Sequence, residues 1–452
     1  MIILFFFAVD LNTLRNILNE KSLTVFAGIL LATVLFLPYI KLSESAPGFE
    51  IVDVLLPVLG IIFLAKWKQL GDRKIYFFIL IFGAYIFLTM LVNSRLGQLK
   101  DYFEIVKLFK FGLIICLFSL VNGELFRKRW IPALFIILVV LNLIHYYELF
   151  GFNDLLEEYY QAGERLQRFG KNTLGFAAFK RMLGTVCNPN NNALLFSFFL
   201  SFFLADLWKK PTKKTWAFVF IATTMIFLSQ SRTGLMCVAG SIGVVSVFFL
   251  EGQWKRLAGL VGITILSYTF SYGMTRLDFE VRKNDPSELM DMQEYRRLQQ
   301  LSKNKGEQST YLNTLMDGSA FGTYSMSGRL EIWKHMWDMS LEKPVFGHGP
   351  YKEYFYENGL YAESQYFSML WRYGFLGLFA YLGFLFYLFR KGILNKAKPA
   401  GQTIALSTLV IAIGSLTNNP FDHQTILFFL AVAIGIFWSE TTKTASTDSA
   451  SE

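Results

Sequence analysis

Long apolar runs joined by short polar connections make up most of this chain. Runs of about 17–25 apolar residues have the length of a membrane-crossing helix. About twelve such runs occur, scored by length and hydrophobic pattern. The first begins at Leu23 and the last ends at Trp438. Those at 51–65, 109–121 and 216–228 are short for a span. The pattern predicts an all-α polytopic membrane protein. One long polar stretch, Arg276 to Gln365, interrupts it between the ninth and tenth runs. The expected organisation is therefore fourfold. Residues 1–275 carry nine spans and a polar segment near 151–191. Residues 276–365 form a loop with amphipathic helices, residues 366–440 carry three more spans, and residues 441–452 form a disordered tail.

Composition agrees with this class. The chain is 53% hydrophobic and 17% aromatic, with a mean hydropathy of +0.39, values that soluble domains rarely reach. The net charge of +9 is split among short connections, which argues against nucleic-acid binding. Clusters at Lys66, Lys68, Arg73 and Lys74, at Arg127 to Arg129, at Lys209 to Lys214, at Lys255 and Arg256, and at Arg390 to Lys398 fall in every second connection. Cytoplasmic connections are the ones enriched in Lys and Arg. Both termini then lie in the cytoplasm, and the polar stretch 276–365 lies outside it. Met1 to Val9 is apolar but lacks a basic n-region and a small-residue cleavage site, so it reads as an extension of the first span or an interfacial segment. Cys116, Cys187 and Cys237 have neither disulfide-framework nor zinc spacing.

Three external connections hold the unusual chemistry. In the first, Asn153 is placed to cap a helix, and Arg181 precedes the turn chemistry of Asn188-Pro189-Asn190. The second is Ser229-Gln230-Ser231-Arg232-Thr233-Gly234, where an arginine is wedged between two apolar runs. Such a charge must snorkel, face a wet cavity or meet an anion. The third is the long stretch. Asp285-Pro286-Ser287-Glu288 reads as a helix start. A second helix follows Gly328-Arg329, with Leu330, Trp333, Trp337 and Leu341 as its apolar stripe and Pro344 as its stop. Phe346-Gly347-His348-Gly349 then makes a turn, Pro350 opens a short helix that Gly359 ends, and Glu363-Ser364-Gln365 leads into the tenth span.

These segments, in this order, resemble the O-antigen ligase / O-antigen polymerase family of bacterial polysaccharide enzymes. The matching residues are Arg181, Gly184-Thr185, Asn188-Pro189-Asn190, Ser231-Arg232-Thr233-Gly234, Arg329, Ile332-Trp333, Pro344, Gly347-His348-Gly349, and Gly374 with Gly377. Ligases of the family usually carry a His-Asn pair before the tenth span. Here Glu363-Ser364 stands at that position, which looks more like the polymerase branch. Arg372 stands where the resemblance implies an acidic residue.

The resemblance implies a GT-C-like fold in the bacterial inner membrane, with the active site on the periplasmic side. It implies a glycan donor on undecaprenyl pyrophosphate and an inverting transfer. Possible partners are membrane lipids and a chain-length regulator, with no cofactor. No acidic metal-binding cluster stands out, so the reaction is expected to be metal-independent. Arg181, Arg232 and Arg329 are the candidate pyrophosphate ligands, because a guanidinium fork matches phosphate oxygens. Glu363 is the first candidate for the base that takes the acceptor proton, and His348 is the alternative. Tyr351, Tyr354 and Trp333 are candidate sugar contacts. Each has a plainer reading: interfacial anchors for Arg181 and Arg232, a solvated helix-start residue for Arg329, a helix-start carboxylate for Glu363, and a turn residue for His348. A transporter is the reading from another class. It would place ionisable groups within spans, whereas here the apolar runs are nearly free of charge.

Overall fold

The computed structural model describes residues 19–37, 50–70, 73–159, 181–282, 324–351 and 363–448. Among the described residues the chain is helical, without strands. Its main elements are α1 (Glu20–Phe36), α2 (Leu56–Lys66), α3 (Lys74–Val92), α4 (Leu99–Leu120), α5 (Ile131–Tyr146), α6 (Phe152–Tyr159), α7 (Pro189–Lys209), α8 (Lys213–Leu228), α9 (Arg232–Val244), α10 (Trp254–Arg282), α11 (Tyr324–Glu342), α12 (Gln365–Leu394), α13 (Pro399–Thr417) and α14 (Gln424–Asp448). Eight of these segments are long and apolar enough to cross a membrane. Helices α1, α2, α4 and α8 are shorter, or carry more charge. The chain start, the helix expected from Asp285 and the helix expected from Pro350 lie outside the described residues.

Helix α7 forms the centre. Its apolar window is 94% buried, against 17% for α10 at the periphery. The cause is composition: phenylalanines and leucines surround α7 on every side, which suits a helix with neighbours all round. It packs against α8, α9 and α13, while α14 packs on α4 and α12 packs on α13. Hydroxyls inside this core hydrogen-bond to carbonyls one turn back, as Ser197 does to Ala193 and Ser201 to Ser197. That removes the penalty of an unpaired polar group in an apolar medium. Cys116, Cys187 and Cys237 are buried and unbridged.

Two expectations change. Asn153 lies within α6 rather than capping it, and its Oδ1 meets His145 Nδ1 at 2.7 Å. The buried edge of α11 also differs from the expected stripe. Met336 and Ser340 are buried, while Leu330, Trp337 and Leu341 are exposed. The helix docks on α12 through Met336, which packs with Trp371. Of the expected stripe, Leu330, Trp337 and Leu341 are therefore exposed and only Trp333 is half-buried.

Helix α12 breaks at Gly374, whose φ of 65° and ψ of −169° are glycine territory. The break exposes backbone groups inside an apolar bundle, and the Pro344–Gly349 turn satisfies them. His348 N–H donates to Trp371 O (2.9 Å), Gly349 N–H to Arg372 O (2.8 Å), and Phe375 N–H to Pro344 O (2.8 Å). The Tyr85 hydroxyl donates to Tyr373 O at 2.7 Å. A Cβ on Gly374 would strike the carbonyls of Pro344 and Val345. Gly374→Ala is therefore expected to destabilise the protein by about 1–3 kcal/mol or more, the cost of a strained backbone with a clash added. Gly383→Ala, in the same helix with open space around it, should be neutral or stabilising by up to ~1 kcal/mol. Thermal unfolding of the two variants in detergent checks the contrast.

Candidate functional site

Asn188 caps α7 by accepting hydrogen bonds from the N–H groups of Asn190 and Asn191, and Pro189 occupies the first turn. Ser231 caps α9 by accepting from Gly234 N–H at 3.3 Å. These two helix starts are joined through one side chain. Asn190 Oδ1 accepts from the Ser231 hydroxyl at 2.9 Å and from Arg181 Nη2 at 3.1 Å. Arg181 Nε also donates to Ser229 O at 3.2 Å. The structure thus brings together Arg181 and the Ser231-Arg232 turn. Arg181 is half-buried, and Arg232 is exposed at the first position of α9.

The strand of chain carrying Arg181 is fixed from below. Met182 N–H donates to Leu228 O at 3.1 Å. Leu183 N–H donates to His145 Nε2 at 3.2 Å. An accepting Nε2 leaves the proton on Nδ1, which donates it to Asn153. Asn192 Nδ2 donates to Asn142 Oδ1 at 2.8 Å. His145 and Asn142 are fully buried and were missed in the sequence, where each is a lone polar residue in an apolar run.

Glu363 lies at the start of α12. It is half-buried and holds a positive φ of 41°, a conformation that few non-glycine residues adopt. Ser364 Oγ donates to Ser415 O (3.1 Å), and Gln365 N–H donates to Asn418 O (2.9 Å). Gln365 Oε1 accepts from Phe421 N–H (3.1 Å). The side chains of Thr233 and Thr417 are hydrogen-bonded to each other. The first turn of α9, the end of α13 and the start of α12 are therefore one connected surface. The start of α14 joins it as well, because Asn191 Nδ2 donates to His423 Nε2 at 2.7 Å. Four helix amino-termini, those of α7, α9, α12 and α14, converge here. Each turns the positive end of its dipole toward this surface, with part of its first-turn N–H groups capped, as Asn188 caps α7 and Ser231 caps α9. His423, in the Asn418–His423 connection, is another residue the sequence reading missed.

The other expected site residues lie elsewhere or contribute differently. The His348 ring stacks on Trp371 at 4.9 Å, and its Nε2 lies 3.0 Å from Met339 O. Tyr351 has the Arg95 guanidinium 3.8 Å over its ring. Trp333 stacks on Phe367 at 5.2 Å. The Arg329 side chain and Tyr354 lie outside the described residues.

Beside this surface lies a band of charge absent from the sequence expectation. Helix α4 begins at Leu99, ten residues before the apolar run at 109–121, and its first half carries Asp101, Glu104, Lys107 and Lys110. Asp101 pairs with Arg95. Arg372, only 1% exposed, meets Glu104 at 2.9 Å and Asp422 at 3.5 Å. Lys107 bridges the same two carboxylates at 2.7 and 3.4 Å. Lys110 meets Asp53 at 2.8 Å and Glu50 at 3.5 Å. The apolar helices are thus less free of charge than their hydropathy suggests. Every charge in this band has an opposite partner, which suits an anchor better than a transported-ion site.

An all-helical bundle of apolar spans, with two arginines and four helix amino-termini gathered at one end, defines a multi-pass membrane protein with an anion-attracting surface. Residues 217–382 match the family model described as O-antigen ligase. The match supports, for this stretch, the O-antigen ligase / polymerase family, whose members are glycosyltransferase-like enzymes of surface-polysaccharide synthesis. It covers Arg232, Arg329, His348 and Glu363, with Arg181 and His423 outside it. No curated protein matches the chain.

Removing Arg372 leaves Glu104 and Asp422 with less of their buried countercharge. Arg372→Ala is expected to cost about 3–5 kcal/mol of stability, and Arg372→Lys less. The double variant Arg372→Met/Glu104→Met should recover part of the loss, because both ends of that pair leave together. Denaturation midpoints of the three variants measure this.

Proposed function

We propose that this chain is a GT-C-like polysaccharide polymerase of the bacterial inner membrane. It transfers a glycan from undecaprenyl pyrophosphate to a hydroxyl of another lipid-linked repeat unit. The eight apolar spans and helices α1, α2, α4 and α8 together make twelve crossings. Both termini are then cytoplasmic, and residues 276–365 and the segment near 151–191 are periplasmic. The outward edge of α11 lies at the membrane surface.

The observation carrying this reading is the convergence of Arg181, Arg232 and four helix amino-termini. Arginine forks and helix amino-termini are the protein's strongest recognition elements for phosphate oxygens. Charge develops on the pyrophosphate as the glycosidic bond breaks. Fixed positive groups stabilise that charge without reorganising. Arg181 is held by Asn190 and Ser229, so its position is set before the substrate arrives. Arg329 is a third candidate for the same anion.

Glu363 is the proposed base. It accepts the acceptor proton as the hydroxyl attacks the anomeric carbon, and the pyrophosphate leaves from the opposite face, with inversion. Its left-handed backbone is the kind of strain that accompanies a functional position. His348 ranks below it, because its ring stacks on Trp371 with its Nε2 at the Met339 carbonyl. Tyr351, Tyr354 and Trp333 are proposed to face the sugars. Glu363-Ser364 at the place of the ligases' His-Asn pair favours the polymerase branch. The close alternative is a ligase acting on lipid A–core, favoured by the description of the matching family.

Two expectations follow. Arg181→Ala and Arg232→Ala should each lower kcat by about 10²–10³, the usual loss for one stabilising donor. Glu363→Gln should lower it by about 10²–10⁴. The assay is reconstitution of purified protein with lipid pyrophosphate-linked repeat units alone. A glycan ladder that disappears in these variants supports the polymerase. Product formed only after lipid A–core is added makes the protein a ligase.

A further inference from the structure

The opposite end of the bundle carries a second cationic site, unrelated to the first. Helix α7 runs from Pro189 at the candidate site to Lys209. At 1.5 Å per residue it spans roughly 30 Å, the thickness of a bilayer's hydrocarbon core. At its far end a cavity of about 690 Å³ opens between three connections and the last part of α14. Arg127, Lys128, Lys209, Lys210, Lys214 and Lys398 line it.

Basic residues in these connections would be expected from membrane orientation alone. Orientation does not require them to surround one cavity, nor to be sorted within it. Arg127 is buried, 4% exposed, and forms ion pairs with Asp206 and Glu440. Lys128 pairs with Glu124. The three lining carboxylates are thus each engaged by Arg127 or Lys128. Lys210 and Lys214 are exposed at the rim, and among the described residues neither has a carboxylate within ion-pair distance. The lining therefore keeps a surplus of positive charge. Phe203, Phe218 and Pro132 also line the cavity, and the two rings stack at 4.8 Å with the Lys214 ammonium 5.5 Å from the Phe218 centroid. A hydrated ion gains nothing from an apolar wall. A phosphate attached to a glycerol backbone uses both surfaces.

We propose that this cavity binds the phosphate headgroup of an anionic phospholipid from the leaflet opposite the candidate glycosyl-transfer site. Basic pockets between membrane helices hold such headgroups by charge. Lys210, Lys214 and Lys398 meet the phosphate, and Arg127 with its two carboxylates fixes the floor. The lipid joins the α7–α8 connection to the start of α13 and to the 123–128 turn.

Native mass spectrometry of the full-length protein in detergent tests this, with phosphatidylglycerol, phosphatidylcholine and inorganic phosphate as probes. Phosphatidylglycerol should bind at least about tenfold more tightly than phosphatidylcholine. The K210Q/K214Q double variant should bind it about thirtyfold more weakly, each surface lysine contributing roughly fivefold. Lys255→Gln removes a charge at the same end but outside the cavity, and should change nothing. Both lysines are exposed, so the double variant should keep the wild-type elution profile; if it does not, the single variants serve, each with a fivefold loss expected. Equal weakening by Lys255→Gln and the cavity variants would reduce the effect to diffuse surface attraction. Equal binding of the two lipids, or complete displacement by equimolar phosphate, would overturn the lipid site.

Discussion

A guanidinium buried in an apolar helix bundle survives only with counter-charges at hand, and Arg372 has two. Glu104 comes from α4 and Asp422 from the turn before α14, so three distant parts of the chain meet at one ion-paired centre. The geometry around it is demanding. Arg372 lies two residues before the break at Gly374, and its own carbonyl accepts from Gly349 N–H. One residue thus couples the broken helix, the inserted Gly347–Gly349 turn and the start of α14. An ion pair of this kind adds little net stability over well-packed apolar residues. What it fixes is arrangement, because any packing that parts Arg372 from Glu104 and Asp422 strands buried charge.

That arrangement has consequences for chemistry. Asp422 is followed by His423, which meets Asn191 beside the Asn190–Arg181 contact. The charge band and the candidate site are therefore neighbours in one hydrogen-bonded surface. The two ends of the bundle differ in kind. One end concentrates helix amino-termini and two arginines, Arg181 bonded to Asn190 and Ser229, the field in which the proposed pyrophosphate would sit. The other concentrates lysines around a cavity with an apolar wall, suited to a lipid headgroup.

The all-helical framework was legible in the sequence. Apolar runs of spanning length report the helices, since period and length are the strongest local signals. Arg181, Arg232 and Asn188 stood out because polar groups between apolar runs need a reason to be there. The start of α4 was hidden because Asp101, Glu104, Lys107 and Lys110 make its first half read as a connection. Their partners, at 50, 53, 372 and 422, are far away in sequence, and pairing at that distance leaves no local trace. Asn142 and His145 were hidden for the converse reason: a single polar residue scarcely alters a hydropathy window. The apolar stripe of α11 misled because periodicity marks the apolar positions of a helix without saying which of them a neighbouring helix covers; here Met336 takes that place against Trp371.

The most direct test is where the lipid pyrophosphate binds. A cryo-electron microscopy map of the protein with undecaprenyl pyrophosphate would locate it. Density for the pyrophosphate is expected between Arg181 and Arg232, at the amino-termini of α7 and α9, and should be lost in the Arg181→Ala/Arg232→Ala variant. Pyrophosphate found instead in the lysine-lined cavity at the far end of α7 would contradict it.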